Sequence, residues 1–392
     1  MIGRILLGRA LRSFADGLIA VVLPAYLLAL GLGQLEVGFI STATLLGSAL
    51  ATLAIGRWGH RFSMRRLLLA AALLMAATGA GFATLSSLWP LLVVGFVGTL
   101  NPSSGDASIF RPLDHTMLAT AANRPAVFAR YSFIGSVAGA GGALAAGLPQ
   151  MLSREIGLLD ALRAMFLVYA AAGVAVWLLY LRLSDPHLEK QKPAAPLGPS
   201  RGIVWRLAAL FSVDSFAGGL VLNSLLALWL FERFGMSLAA AGAFFFWTGL
   251  LAAASQLLAA PLARRIGMVN TMVFTHIPSS LCLIGAAFAS HLNLALALLL
   301  CRAALSQMDV PARAAFVMSV VTPAERPAAA SFTAVPRSLA SAVSPSITGA
   351  LFAAGAMAAP LVACGVLKIA YDLALFASFR ATESATSLAR PD

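Results

Sequence analysis

Charge is what this chain has least of. Of its 392 residues, 11% are Asp, Glu, Lys or Arg and 60% are hydrophobic. A water-soluble domain carries about 25% charged residues, so this shortage leaves too little polar surface for a soluble body of any fold. Acid is scarcer than base, with 15 carboxylates against 27 Lys and Arg. Cysteine is also rare. Cys282, Cys301 and Cys364 all fall in apolar runs and read as small packing residues, not as disulfides or metal ligands. There is no phosphate-cradling loop, no metal-ligand spacing and no nucleophile elbow. No enzyme activity, bound metal or cofactor is therefore expected. A cleavable leader is not expected either. The apolar run after Arg4, Arg9 and Arg12 is too long for a signal peptide and has no small-residue cleavage site beyond it.

What the chain has instead is apolar runs of about 20 residues, each long enough to cross ~30 Å of hydrocarbon as a helix. Twelve are expected: 11–31, 37–56, 67–86, 90–117, 126–149, 161–183, 206–231, 237–259, 268–290, 293–320, 328–355 and 357–379. The basic residues gather in alternate loops, at Arg57, Arg61, Arg65 and Arg66, then Arg124, Lys190, Lys192 and Arg201, Arg264 and Arg265, and Arg326. By the positive-inside rule these loops and both termini are cytoplasmic. The same placement explains the net charge of +12 without any nucleic-acid partner. The expected partners are a lipid bilayer and a small-molecule substrate, with the protein a monomer in the cell inner membrane.

The chain is also written twice. Arg111 precedes Arg124-Pro125 by thirteen residues, and Arg313 precedes Arg326-Pro327 by thirteen, the two copies lying 202 positions apart. Gly142-Ala143-Leu144 is echoed by Gly349-Ala350-Leu351, and Asp16 in the first run by Asp214 in the run opening the second half. A same-direction repeat of this length implies two similar helical bundles. Between them, residues 184–205 carry Pro186, Pro193, Pro196 and Pro199 among charges, which cannot form a span. The expected organisation is a six-helix bundle over 1–183, a cytoplasmic linker over 184–205 and a second six-helix bundle over 206–392.

Two parallel six-span halves joined in this way resemble the major facilitator superfamily. The loop between spans two and three reads Gly56-Arg57-Trp58-Gly59-His60-Arg61-Phe62-Ser63-Met64-Arg65-Arg66, similar to the family pattern Gly-x-Leu-Ala-Asp-Arg-x-Gly-Arg-Arg. His60 stands where the family has its acid, Ser63 where it has Gly and Met64 where it has Arg. Leu262-Ala263-Arg264-Arg265-Ile266-Gly267 is a weaker echo in the second half, again without an acid. The resemblance implies an all-α membrane fold of twelve transmembrane helices with pseudo-two-fold symmetry. It also implies a cytoplasmic gate at His60, Arg61, Arg65, Arg264 and Arg265, which lacks the family's acidic latch. The family's antiporter motif is not matched by Gly139-Ala140-Gly141-Gly142 in span five.

The resemblance further implies a central cavity lined mainly by spans one, four, seven and ten. Arg302 lies about ten residues into span ten, near mid-depth, where a lone charge costs at least ~2.5–3.5 kcal/mol. It is expected to face a wet cavity or a carboxylate, with a substrate or coupling role weighed against a structural ion pair. Arg111 with Asp106, and Arg313 with Asp309, read as a symmetric gate or an anion-collecting entrance, or else as structural bridges at the cytoplasmic mouth. Asp16 and Asp214 are candidates for proton uptake or for pairing with bases such as Arg12. Asn101 and Asn223 are candidate hydrogen-bonders of a substrate, or helix bridges. Lys368 and Asp372, four residues apart in span twelve, read as a self-neutralising pair, and His276 in span nine as a packed residue.

The expected function is secondary-active transport of a small solute by alternating access, coupled to protons and leaning to efflux of an anionic or amphiphilic compound. The alternatives are a proton-coupled importer of an organic anion and, from another class, a non-transporting membrane sensor or scaffold. Spans seven and eight, with Trp229, Phe244, Phe245, Phe246 and Trp247, suit a hydrophobic compound as readily as a carboxylate.

Overall fold

The computed structural model describes residues 1–103, 108–118, 124–183, 197–322 and 325–388. Among them every regular element is helical. The first half contains α1 (Ile2–Ala29), α2 (Gln34–Trp58), α3 (Met64–Thr84), α4 (Leu88–Val97), α5 (Phe110–Leu118), α6 (Arg124–Ala145), α7 (Leu148–Ile156) and α8 (Leu158–Leu181). The second contains α9 (Arg201–Gly219), α10 (Asn223–Phe234), α11 (Leu238–Ile266), α12 (Met268–Ala287), α13 (Leu292–Leu305), α14 (Asp309–Val320), α15 (Arg326–Ala353) and α16 (Ala359–Leu388). Among the described residues, ten helices, or helix pairs running on from one another, are long and apolar enough to cross a membrane. The other two of the twelve expected spans are the short apolar α4 with α5 beyond it, and the 28-residue α15.

Three spans are broken where the sequence offers a reason. The fourth stops after Val97 and runs through Pro102 before α5 begins. The seventh stops after Gly218-Gly219, two residues that disfavour helix, and resumes at Asn223. The tenth breaks at 306–308, so Pro311 falls in the first turn of α14, where a missing N–H leaves nothing unsatisfied. Pro311 therefore starts a helix instead of kinking one. Freed backbone groups in a membrane must find partners inside the protein. Here the Ser224 N–H, just past the break in span seven, donates to the Pro102 carbonyl in the break of span four at 3.1 Å.

Contacts divide the chain into two units. The first comprises Met1–Lys190, Leu222–Gly249 and Ala342–Gly355. In it α1 packs on α6 and α8, α3 on α8, and α2 on α4. These crossings are close because glycine lines them. A Cβ at Gly17 would overlap the Gly139 carbonyl, one at Gly142 the Phe14 carbonyl, and one at Gly47 the Phe96 carbonyl. Helices gain little from hydrophobicity among lipid tails, so such close approach supplies much of the association. At one end of this unit α2 crosses α15 at Gly38 and Gly349, and Thr42 Oγ1 accepts from the Ser346 N–H at 3.0 Å. Nearby Gln34 Nε2 donates to Glu232 at 2.9 Å, and Gln150 Oε1 accepts from the Ala239 N–H at 3.2 Å.

The second unit comprises Gln191–Val221, Leu250–Ser341 and Ala356–Asp392. In it α12 packs on α13, α14 and α16, and α9 on α14 and α16. Spans three and six pair in the first unit as spans nine and twelve do in the second, and spans one and six as seven and twelve. The internal repeat is therefore visible in helix pairing. A core of Val204, Leu207, Phe211, Met272, Phe316, Tyr371 and Phe379 closes around the base of α9.

That base is clamped from outside the spans. Glu325, in the turn before α15, accepts from the Gly198 N–H, from Ser200 Oγ at 2.6 Å and from Thr322 Oγ1 at 2.6 Å. The Ser200 and Thr322 hydroxyls, with the Gly198 N–H, hold its carboxyl down at about 2. The clamp's contribution is complete above the ordinary Glu value of 4.5 and is lost as pH falls toward about 2.

Two outcomes follow from this packing. Gly142→Leu forces α1 and α6 apart and destabilises the fold by about 1–3 kcal/mol or more, read as a lower thermal midpoint in detergent. Glu325→Ala raises amide exchange at 197–201 at neutral pH to the level the wild type reaches only in acid, read by hydrogen–deuterium exchange.

Candidate functional site

The second unit buries a network of charges on five helices. Asp214 comes from α9, His276 from α12, Asp309 and Arg313 from α14, Arg337 from α15, and Lys368 and Asp372 from α16. Each carboxylate is at most 5% exposed, and His276 is 3% exposed, so every charge must be answered inside the protein. Arg313 spans two acids, donating from Nη1 to Asp214 Oδ2 at 2.9 Å and from Nη2 to Asp309 Oδ2 at 2.6 Å. The second contact is the i,i+4 pair legible in the sequence, intact because Pro311 sits in the opening turn. Asp309 also starts α14, where the helix dipole favours a negative charge.

The other oxygen of Asp214, Oδ1, accepts from Lys368 Nζ at 2.6 Å. Lys368 also lies 3.3 Å from His276 Nε2, and His276 Nδ1 faces both oxygens of Asp372 at 3.0 and 3.1 Å. Lys368 and Asp372 thus do not neutralise one another. Each turns to a different helix, and His276, expected as a packed residue, stands between them. Arg337 donates from Nε to Ser215 Oγ at 3.1 Å, and both Arg313 and Arg337 lie over the Phe211 ring.

The first unit carries a smaller network with its signs reversed. Arg12 of α1 donates to Asp114 of α5 and to the Tyr180 hydroxyl of α8, and Tyr131 of α6 donates to the same Asp114 oxygen at 2.8 Å. Arg12 also lies over Phe110 at 4.2 Å, and Arg9 over Tyr131 at 4.9 Å. Span one therefore gives the cation and span four the acid, where span seven gives the acid and span ten the cation. Asp16 is one turn further along α1. It does not pair with Arg12, which is engaged by Asp114; it lies near Tyr169, whose hydroxyl donates to the Thr99 carbonyl at 3.0 Å.

The remaining candidates are placed as follows. Asp106 lies outside the described residues, as does the side chain of His60. Arg111 is exposed, and it is Asp114, three residues on, that makes the buried bridge. Asn101 is fully buried, its Oδ1 accepting from the Ser103 N–H at 3.1 Å and hydroxyl at 2.7 Å, a turn-forming role at the break in span four. Asn223 opens α10 at the break in span seven. Arg65 donates to the Leu181 carbonyl and Arg4 to the Arg182 carbonyl, so these two bases close the end of α8. Arg61, Arg264 and Arg265 are exposed.

Arg302 has no carboxylate partner. Its guanidinium makes no ion pair or hydrogen bond among the described residues. It sits on the side of α13 that packs against α12, where its carbonyl accepts from Ser279 Oγ at 3.3 Å, with the buried Cys364 thiol of α16 nearby. No group of His, Cys, Asp and Glu suited to a metal ion occurs among the described residues.

Asp114, Tyr131, Tyr180 and Arg337 were not among the residues the sequence singled out. Asp114 carried the available signal, since it is an acid inside an apolar stretch and only one turn from the repeat arginine. The tyrosines carried none, because a buried tyrosine reads as core until a charge is seen at its hydroxyl.

Comparison with known proteins places this architecture. The Major Facilitator Superfamily profile matches residues 5–345, and the chain belongs to that family. It is therefore a membrane transporter of a small solute and not an enzyme. It is 24% identical to the uncharacterized membrane protein YJR124C of Saccharomyces cerevisiae, over 94% of this chain and 92% of that one. Its fold is similar to the nucleoside transporter NupG, with TM-score 0.73 at 14% identity, covering 97% of this chain and 99% of that one. It is also similar to the human organic anion transporter MFSD10, with TM-score 0.64 at 18% identity, covering 95% and 98%.

The network predicts a specific pattern of stability. Asp214→Asn leaves Arg313 and Lys368 facing a neutral amide and lowers stability by about 3–5 kcal/mol, the usual cost of breaking a buried pair. Adding Lys368→Met removes one stranded cation and recovers part of that loss. Thermal unfolding of the two single variants and the double variant measures the recovery as a coupling energy.

Proposed function

We propose that this protein is a proton-coupled secondary transporter of a small organic anion, working by alternating access in the cytoplasmic membrane with both termini inside. One observation carries the substrate class. Around the charge network of the second unit stand four cationic side chains, Arg302, Arg313, Arg337 and Lys368, against three carboxylates, Asp214, Asp309 and Asp372, the buried Glu325 lying apart in the turn before α15. Arg302 and Arg337 make no ion pair among the described residues, and Arg302 has not even the hydroxyl partner that Arg337 finds in Ser215. A charge at this depth without a counter-ion is costly, and an intramembrane ionisable group of this kind has a functional reading by default. An anionic solute supplies the missing charge. The similarity in fold to a human organic anion transporter is consistent with this but shows the fold alone.

The breaks in spans four, seven and ten support the same reading. Discontinuous helices near mid-depth expose backbone donors and acceptors where a solute can use them. The glycine crossing of α2 and α15 suits a gate, because two backbones in contact can part without rearranging large side chains. The Arg-rich loops support cytoplasmic termini. The sequence leaned to efflux, but a site that gathers protons and an anion together favours uptake driven by an inward proton gradient. The sensor or scaffold reading gives no use to an uncompensated Arg302.

Two experiments test this. A thermal-shift screen of anions, cations and neutral compounds at two pH values should show stabilisation by anions, larger at the lower pH. Arg302→Gln should abolish that shift, and stabilisation by cations alone would refute the anion assignment. In a background without the native cysteines, Thr42→Cys with Ser346→Cys should form a disulfide that stops transport until it is reduced. Undiminished transport in the oxidised form would show that this crossing does not open.

A further inference from the structure

His276 is the imidazole of the second network, a side chain with two ring nitrogens that can each donate or accept. The elements around it present Asp214 from α9, Arg302 from α13, Asp309 and Arg313 from α14, Arg337 from α15, and Lys368, Tyr371 and Asp372 from α16. Its protonation state follows from its partners. Lys368 is a donor only, and its ammonium is engaged with the Asp214 carboxylate at 2.6 Å. Its 3.3 Å approach to Nε2 is therefore favourable only when Nε2 offers a lone pair. A neutral imidazole with a bare Nε2 carries its proton on Nδ1. Nδ1 then donates to Asp372, which accepts as the carboxylate at 3.0 and 3.1 Å. These contacts suit a neutral ring in the Nδ1–H tautomer.

We propose that His276 is the proton-binding site of this network, and that its protonation displaces Lys368 from Asp214. When a proton from water adds to Nε2, two donors face each other where one donor–acceptor contact had been. An acceptor for the new N–H lies at Asp214 Oδ1, 3.9 Å from Nε2, the oxygen that Lys368 holds. The imidazolium takes Oδ1 and Lys368 is released. Asp214 Oδ2 stays with Arg313 throughout. One carboxylate therefore has a fixed oxygen and an exchangeable one. Spans seven, nine and twelve are tied differently in the two states.

The charge count gives the exchange a consequence. With neutral His276, Asp214, Asp309 and Asp372 balance Arg313, Arg337 and Lys368. The added proton leaves one positive charge in excess, beside the uncompensated Arg302, and frees an ammonium. Proton and anion binding then favour each other, reciprocally, and the two move in the same direction. This consequence rests on the transport reading above; the proton site and the exchange of partners do not.

The test uses the full-length protein labelled with 15N-histidine, in lipid nanodiscs, followed by NMR from about pH 8 to about pH 5. The chain has five histidines, and the His276 signals are those missing from His276→Gln. The expected result in alkali is one protonated nitrogen and one bare nitrogen, with Nδ1 carrying the proton. Lys368→Met should shift the bare-nitrogen resonance, and acid should convert the ring to the doubly protonated form. An Nε2–H tautomer in alkali, an imidazolium at every pH, or a bare-nitrogen resonance unmoved by Lys368→Met overturns the proposal. If Lys368→Met does not fold, the wild-type tautomer alone decides. A protein that shows this exchange but moves no anion keeps the proton site and loses the transport reading.

Discussion

The Asp214 carboxylate is the interaction on which the second half of this protein turns. A buried charge in a low-dielectric interior costs several kcal/mol unless it is paired and fully hydrogen-bonded. Asp214 meets that demand with two cations from two other helices, Arg313 on α14 and Lys368 on α16. That requirement fixes where three spans lie against each other. It brings His276 and Asp372 into the same network, and Arg313 carries it on to Asp309. The first half solves the same problem with Arg12 and Asp114, adding the hydroxyls of Tyr131 and Tyr180 as further partners. Repeated helix pairing with reversed charge gives two bundles of one architecture and different electrostatics. In the second network the cations Arg302, Arg313, Arg337 and Lys368 outnumber the carboxylates Asp214, Asp309 and Asp372.

Much of the fold was legible because membrane burial writes itself into composition. The scarcity of charge, the runs of about 20 apolar residues and the thirteen-residue arginine repeat were enough for the class and for the helix order. The breaks were partly legible. A proline inside an apolar run suggests a kink, but Pro311 stands in a first turn and marks a start, and the stop before it left no separate signal. The break in span seven followed Gly218-Gly219, an ordinary pair in a chain rich in glycine.

The charge networks were less legible, because sequence spacing reports only partners on the same helix. Asp309 and Arg313 could be paired from their i,i+4 spacing. The same rule misjudged Lys368 and Asp372, whose true partners are on α9 and α12. Arg12 and Asp114 are 102 positions apart, and no local pattern joins them. Arg302 was singled out for its depth, expected to face a wet cavity or a carboxylate, and no carboxylate partners it among the described residues. That absence gives the anion reading its force.

Anion flux driven by a proton gradient in proteoliposomes tests the central claim most directly. With acid outside and an anion that stabilises the protein as the probe, the wild type should accumulate the anion above equilibrium. Collapse of the pH difference should abolish the accumulation, while downhill exchange continues. Accumulation that ignores the pH difference, or flux of cations in place of anions, would contradict the account.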